Sequence, residues 1–373
     1  MRATRRIAEQ GALGKTALRI LIAGGGTGGH VIPALAIARE LRDNNGGEVR
    51  FVGTSRGLET KLVPEAGFRL ELVRSGQLKN VSAVTRLKTA FDVPLGVLQC
   101  IRLIREFRPQ VVVGVGGYAS GPGMMAAIVL GIPTVAYEPN ALPGMTNRWL
   151  GKRVSAAAVN FEQTSGYFRN AEVTGVPVRP EIFELPLRPV GMAQRLLVTA
   201  GSQGARIFNE SMPKIASKLL ESVPGLTIVH QAGARHVLAT QAAFEASGAD
   251  AARWSVEAFL NDMPAEYGAA DLVLARSGST VAELCAAGRP SVLVPFAAAA
   301  DDHQRKNAEV LVRAGAATML LEREATPEKL LAVLLTLLLD PARRASMAAS
   351  GKELAKPGAV GRIAAIVKRV AGY

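Results

Sequence analysis

Short apolar runs that end in glycine recur along the chain, the first at residues 18–23 (LRILIA), directly ahead of Gly24. A continuous rather than alternating run predicts a strand buried on both faces, as in a parallel sheet. Ile32, Leu35 and Ala36, followed by Arg39, Glu40 and Leu41, then show the helical period. Further strands are predicted at 48–52, 111–115 and 133–137, and the second of these runs into Gly116 and Gly117. Strands alternating with helical segments imply βαβ units. Pro177, Pro180, Pro186 and Pro189 then break the pattern, too densely for a packed element. Beyond them, strands predicted at 195–199, 226–230, 272–275 and 291–294 restore the alternation. The chain therefore reads as α/β, with parallel-sheet halves at 18–178 and 194–356 joined by a linker at 179–193.

Two stretches carry their own expectations. Residues 330–339 form the most apolar run, bracketed by Lys329 and Asp340. A bilayer span needs about 18 residues or more, so this run predicts a core helix. Residues 1–17 are basic but lack the apolar core of a secretory signal, and they predict a disordered extension outside the fold.

A length of 373 residues suits two domains, each able to bury its own core. Apolar residues make up 49% and aromatic ones only 5%, with 38 glycines, which fits an α/β enzyme and excludes a disordered or collagenous chain. Cys100 and Cys285 exclude a disulfide framework or a zinc cluster and point to a reducing compartment. The net charge of +13 is unevenly divided: residues 1–175 hold 22 basic and 12 acidic side chains, residues 176–373 hold 22 and 19. A basic first half suggests an anionic partner, whether nucleic acid, phosphorylated substrate or acidic membrane. The excess shrinks once Arg2, Arg5, Arg6 and Lys15 of the extension are set aside.

The sharpest motif is Gly24-Gly25-Gly26-Thr27-Gly28-Gly29-His30, between the first strand and a helix. Its glycines allow close backbone approach, and the helix start favours a phosphate. Gly24, Gly26 and Gly29 satisfy the dinucleotide fingerprint, but that site needs an acid at the end of the second strand, where this chain has Gly53, Thr54 and Ser55. A Walker loop is excluded, because no Gly-Lys-Ser/Thr follows. Glycine turns at 114–122 (GVGGYASGP) and 201–206 (GSQGAR) also follow strands. Ligands bind beyond the carboxyl ends of parallel strands, so the loops together favour a phosphate-bearing ligand in a cleft between the halves.

These motifs, with RSGSTVAEL at 276–284 and PFAAAADDHQRKNA at 295–308, resemble the MurG family from about residue 18 to the C-terminus. Its members are the UDP-N-acetylglucosamine:undecaprenyl-pyrophosphoryl-MurNAc-pentapeptide N-acetylglucosaminyltransferases of peptidoglycan synthesis. The resemblance implies a GT-B fold: two Rossmann-like domains facing a cleft, the first for the acceptor and the second for UDP-N-acetylglucosamine. It also implies a C-terminal helix, at 357–373 here, that returns to the first domain. A non-catalytic nucleotide-sugar scaffold and a GT-B transferase with another acceptor are the alternatives. Retention of both His30 and Glu283 argues against the scaffold, and the first-half loops favour the peptidoglycan acceptor over another one.

Transfer from UDP needs a base for the acceptor hydroxyl, stabilisation of the leaving diphosphate and recognition of the nucleotide. The sequence has no Asp-x-Asp, so backbone N–H groups, helix starts and basic side chains are expected to meet the leaving charge without metal or other cofactor. His30 is the candidate base, since an ordinary histidine titrates near pH 6.5 and the helix start disfavours the imidazolium. A histidine after a glycine turn can also serve simply as packing. Thr27, Gly28 and Gly29 of the same loop are expected to bind substrate. In RSGSTVAEL, Glu283 falls in a helix's first turn, where its carboxylate can accept from both ribose hydroxyls or merely offset the dipole. The resemblance further implies nucleotide-sugar contacts for Ser202 and Gln304, diphosphate contacts for Ser279 and Thr280, and a uracil contact for Leu260. The resemblance also carries Asn140 and Arg179 over as substrate-binding residues, at the family's EQN and GNPVR positions, although Pro139 and Val176 replace the usual Gln and Asn and Ala200 replaces the usual Gly before GSQGAR.

A lipid pyrophosphate acceptor gives the basic half a partner, and no nucleic-acid motif competes. Leu87, Phe91, Leu95, Leu98, Ile101 and Phe107 recur at near-helical spacing among Arg86, Lys88, Arg102, Arg105 and Arg108. Such a stripe fits either an anionic membrane interface or a core-facing helix, and Pro94 predicts its division into two helices. The resemblance implies a peripheral protein on the cytoplasmic face of the inner membrane, with cell-wall synthesis or division proteins as further partners.

Overall fold

A computed structural model describes residues 17–76 and 83–373. The extension read at 1–17 lies outside them but for Ala17, as do the side chains of Arg86, Leu87, Lys88 and Phe91.

The N-terminal sheet contains β1 (Arg19–Gly24), β2 (Glu48–Gly53), β3 (Arg69–Leu72), β4 (Val111–Gly116), β5 (Thr134–Glu138), β6 (Ala156–Val159) and β7 (Ala171–Val173). Its strand order is β3-β2-β1-β4-β5-β6-β7. The C-terminal sheet contains β8 (Arg195–Thr199), β9 (Thr227–Gln231), β10 (Trp254–Glu257), β11 (Leu272–Ala275), β12 (Ser291–Leu293) and β13 (Ala317–Met319), in the order β10-β9-β8-β11-β12-β13. The pairings of β1 with β2 and β4, and of β8 with β9 and β11, are parallel. The winding of each sheet reverses beside its first strand, between β1 and β4 in one and between β8 and β11 in the other. In open α/β sheets ligands bind beyond the strand ends at such a switch point. The segments leaving these four strands are the glycine-bearing turns after Gly24, Gly116, Ala200 and Arg276.

Burial explains the apolar runs. Ile20, Leu21 and Ile22 of β1 and Val111, Val112 and Val113 of β4 are wholly buried. In the second sheet, Leu196 and Val198 pack with Phe208, Met212 and Leu219 of helix Arg206–Ser222 and with Leu330, Leu334 and Leu337 of helix Pro327–Leu338. The run at 330–339 thus belongs to a core helix, and none among the described residues is long and apolar enough to cross a membrane.

The chain divides into two compact units. One comprises residues up to Tyr137 with Leu150–Ala157 and Gly361–Tyr373, the other Glu138–Trp149 with Ala158–Val360. Within the first, Lys368 of the last helix donates to Asn45 Oδ1 at 3.0 Å.

Two local expectations are corrected. Pro94 does not divide its segment, for a single helix runs Ala83–Phe107. Its C-terminal half is held by tertiary packing: Cys100, Leu103, Ile104 and Phe107 are buried, Gln99 accepts from Arg74 N–H at 2.8 Å, and a Cβ at position 96 would lie 2.0 Å from the Arg74 carbonyl oxygen. These contacts outweigh the local cost of one missing N–H bond. The proline-rich linker also holds a packed turn, helix Pro180–Phe183, which starts on a proline and buries Ile182 against Tyr267 and Ala270.

Candidate active site

In the first unit, β1 ends in a loop that is tied on two sides. Gly25 N–H donates to the Gly116 carbonyl at 3.2 Å, and the Gly26 carbonyl accepts from Leu58 N–H at 3.0 Å. Gly26 has φ +95°, a conformation that favours glycine, whereas Gly25 is required by space, since a Cβ there would lie 2.3 Å from the Glu59 carboxyl carbon. Thr27 is the extended residue before helix Gly28–Arg39, and its carbonyl accepts from His30 and Val31 N–H at 3.1 Å. Gly28, Gly29 and His30 therefore form the first turn of that helix. The His30 ring packs on the turn after β4, with Cε1 and Nδ1 only 2.7 and 2.8 Å from where a Cβ at Gly116 would sit. The loop, the helix start and the histidine thus converge at the β1/β4 switch point.

Glu59 is the residue there that sequence reasoning missed. It opens helix Glu59–Glu65, is 1% exposed, and accepts from Gly26 N–H at 2.6 Å, Thr54 N–H at 2.9 Å and Thr54 Oγ1–H at 3.0 Å. An acid does stand at the end of β2, but it arrives from further along the chain and turns inward to the loop.

In the second unit, β11 leads through Arg276, Ser277 and Gly278 into helix Thr280–Ala287. Ser279 is exposed at the helix start, Thr280 is half-buried as the first helical residue, and Glu283 lies in the first turn. A Glu283 oxygen accepts from the Tyr267 hydroxyl at 2.9 Å. Burial pushes the Glu283 carboxyl above the ordinary range, opposed by the Tyr267 hydrogen bond and by the charge of Arg179. Burial, followed by Glu283, likewise raises the Tyr267 phenol. The structure thus joins two of the expected residues, Glu283 and Arg179, to an unforeseen third, Tyr267.

The remaining expected residues fall into exposed and scaffolding positions. Ser202 is exposed on the turn after β8, whereas Leu260 is 7% exposed and packs in the core with Tyr267. The Gln304 side-chain oxygen accepts from Phe296 N–H at 2.9 Å, and its carbonyl accepts from the Ser277 hydroxyl at 2.8 Å. Arg179 is exposed at the start of helix Pro180–Phe183. The Asn140 amide is committed internally: it donates to Glu138 Oε1 at 3.0 Å and accepts from Asn307 Nδ2 at 3.1 Å. Glu138 also accepts from Gly144 N–H and Asn147 Nδ2, so one buried carboxylate organises the 138–147 turn. Arg276, inside the quoted RSGSTVAEL motif but assigned nothing, pairs with Glu322, donates to the Val294 carbonyl at 3.0 Å, and lies over Phe208 and Phe296.

Other titratable groups read as structural. Burial lowers His230 to about 3, and its ring meets Asn209 Oδ1 at 2.9 Å. Burial pushes the Cys100 and Cys285 thiols up to about 12, which keeps them protonated and unreactive. Among the described residues, no three His, Cys, Asp or Glu side chains gather as a metal-binding set.

Comparison with known proteins gives the family. Residues 20–159 match the glycosyltransferase family 28 N-terminal domain and residues 195–363 its C-terminal domain. A relative from Solibacter usitatus (strain Ellin6076), named UDP-N-acetylglucosamine--N-acetylmuramyl-(pentapeptide) pyrophosphoryl-undecaprenol N-acetylglucosamine transferase, is 44% identical over 97% of this chain and 99% of its own. A relative of the same name from Anaeromyxobacter sp. (strain Fw109-5) is 44% identical over 93% of this chain and 92% of its own. The crystal structure of Acinetobacter baumannii MurG superposes with a TM-score of 0.77 at 30% identity, covering 94% of this chain and 99% of that one. With two parallel Rossmann-like sheets and matches along nearly its whole length, the chain belongs to glycosyltransferase family 28, of GT-B architecture.

Proposed function

We propose that the chain transfers N-acetylglucosamine from UDP-N-acetylglucosamine to the 4-hydroxyl of the muramyl sugar of undecaprenyl-pyrophosphoryl-MurNAc-pentapeptide, with inversion. The observation that carries this reading is His30 in the first helical turn after the glycine loop, packed on Gly116 at the β1/β4 switch point. The names of relatives that match most of this chain support the substrates.

In this mechanism His30 takes the proton of the 4-hydroxyl as that oxygen attacks the anomeric carbon from the face opposite UDP. The new C–O bond forms as the bond to the diphosphate oxygen breaks, and UDP leaves with the electron pair. Thr27, Gly28 and Gly29 contact the acceptor. Ser279, Thr280 and the N-terminus of helix Thr280–Ala287 receive the diphosphate charge, Glu283 binds the ribose, Leu260 lies by the uracil, and Ser202 and Gln304 contact the donor. Asn140 and Arg179 act as supports, the first through Glu138 and Asn307, the second through its charge on Glu283. A transfer assay with UDP-N-acetylglucosamine and the lipid-linked muramyl acceptor tests the reading. Product is expected, undiminished by EDTA. Turnover only with a different acceptor would overturn the substrate, and strong EDTA inhibition the metal-free mechanism.

The same reading places the protein peripherally on the cytoplasmic face of the inner membrane. Leu95 and Leu98 of helix Ala83–Phe107, and Met125 and Val129 of helix Ser120–Val129 packed beside it, are exposed apolar residues, with Arg102 and Arg105 exposed nearby in sequence. Exposed Leu95 and Leu98 favour the membrane alternative for that part of the stripe, whereas Phe107 is core. Leu95→Gln/Leu98→Gln is expected to weaken co-sedimentation with vesicles containing anionic lipid while leaving donor binding unchanged. Undiminished sedimentation would count against this face.

A further inference from the structure

We propose that Glu59 is a positioning residue for transfer, a resident anion that holds the glycine-rich loop and, through it, the helix start that carries His30. The proposal deepens the reading above and rests on it for the reaction.

Backbone N–H groups at a strand-to-helix glycine turn are those usually offered to a phosphate. Here the Gly26 N–H is already taken by Glu59 Oε2 at 2.6 Å, while Glu59 Oε1 accepts from both the N–H and the hydroxyl of Thr54 at 2.9 and 3.0 Å. The cage around the carboxylate is made by glycines. A Cβ at Gly25 would lie 2.3 Å from Glu59 Cδ, one at Gly53 2.6 Å from Cγ, and one at Gly57 1.9 Å from Oε2. A side chain at any of the three would displace the carboxylate. The Gly26 carbonyl is tied to the neighbouring residue, Leu58, at 3.0 Å. Both polar groups of Gly26 are therefore fixed by one segment, 58–59, and the next residue, Thr27, supplies the carbonyl bonded by His30 N–H. A shift at Gly26 moves the first turn of the helix, and with it the imidazole. It follows that Gly26 N–H does not serve the acceptor's diphosphate, since a carboxylate holds it.

Glu59→Gln in the full chain is the test, because it keeps the shape and removes the anion. Whichever way the amide sits, its NH₂ faces either Gly26 N–H or the Thr54 N–H, and one part-buried donor is left without its acceptor. Hydrogen exchange at Gly26 or Thr54 is expected to accelerate about tenfold, and kcat to fall about tenfold, with the KM for UDP-N-acetylglucosamine within about twofold. Formate is expected to raise the kcat of Glu59→Ala without changing that of the unsubstituted enzyme. Native exchange rates and native kcat in Glu59→Gln would overturn the proposal. So would equal losses in kcat and donor affinity, which mark general loosening, or a Glu59→Ala variant that folds but ignores formate. If the unsubstituted chain transfers no sugar, the functional reading fails, while hydrogen exchange still decides whether Glu59 holds the loop.

Discussion

His30→Ala is expected to lower kcat by about 10²–10⁴-fold, the range a positioned general base contributes, and to leave UDP-N-acetylglucosamine affinity within about twofold. The expectation rests on where the ring sits. His30 is fixed at the third position of helix Gly28–Arg39 by its own N–H bond to Thr27, and its ring is wedged against Gly116, where no side chain would fit. The backbone bond to Thr27 survives the substitution and keeps the helix start in place, so the loss should be felt in the chemical step more than in folding. The residues assigned to the donor belong to the other unit, and calorimetric UDP binding should therefore survive the substitution. A variant that binds UDP poorly in proportion to its lost turnover, or that turns over at the native rate, would remove His30 from the role of base.

The legible part of this molecule is the part in which local sequence and tertiary role coincide. β1 and β4 were readable because strands buried on both faces are written as unbroken apolar runs, RILIAG and VVVGVG. Strands β3 (RLEL) and β7 (AEV) are short and only partly buried, β13 (ATM) is a three-residue strand, and β6 (AAAV) is built largely from a residue that favours helices. None of these carries a local signal, and all exist through pairing with neighbours. The linker turn at Pro180–Phe183 is of the same kind, formed because Ile182 finds a buried place in a core that includes the distant Tyr267 and Ala270.

The candidate site divides along the same line. Glycine loops were visible because turn chemistry is local, and the strand order then explains why they gather at switch points. Glu59 was invisible because its meaning depends on the chain folding back. The dinucleotide reading looks for an acid at 53–55, and the acid that fills that region lies beyond Gly57 and faces the opposite way, into the loop. Tyr267 likewise reaches Glu283 from a preceding helix, with nothing in its surroundings to mark it. Asn140 shows the converse, a residue carried over by resemblance whose side-chain amide is engaged in internal hydrogen bonds to Glu138 and Asn307.

Glu283→Ala is expected to raise the KM for UDP-N-acetylglucosamine about 10–100-fold, as follows from losing charged hydrogen bonds to two hydroxyls, with a smaller change in kcat. A carboxylate offers about four acceptor sites, and the Tyr267 hydroxyl occupies one. The remaining sites are enough for both ribose hydroxyls, so Tyr267 aims the carboxylate rather than exhausting it. Removing the carboxylate also leaves the buried Tyr267 hydroxyl without that acceptor, which costs about 1–3 kcal/mol of stability. Glu283→Gln, which can still accept from Tyr267, therefore separates the two effects: it should recover most of the melting temperature but little of the donor affinity. Acidity offers an independent check. Burial favours the neutral carboxyl of Glu283, so the charged form is lost, as pH falls, at a higher pH than for an ordinary glutamate. Donor affinity should consequently weaken on the acid side above the usual carboxylate range, and that weakening should vanish in Glu283→Gln. A donor KM that is native in the alanine variant, or an acid limb that persists in the glutamine variant, would take the ribose role away from Glu283.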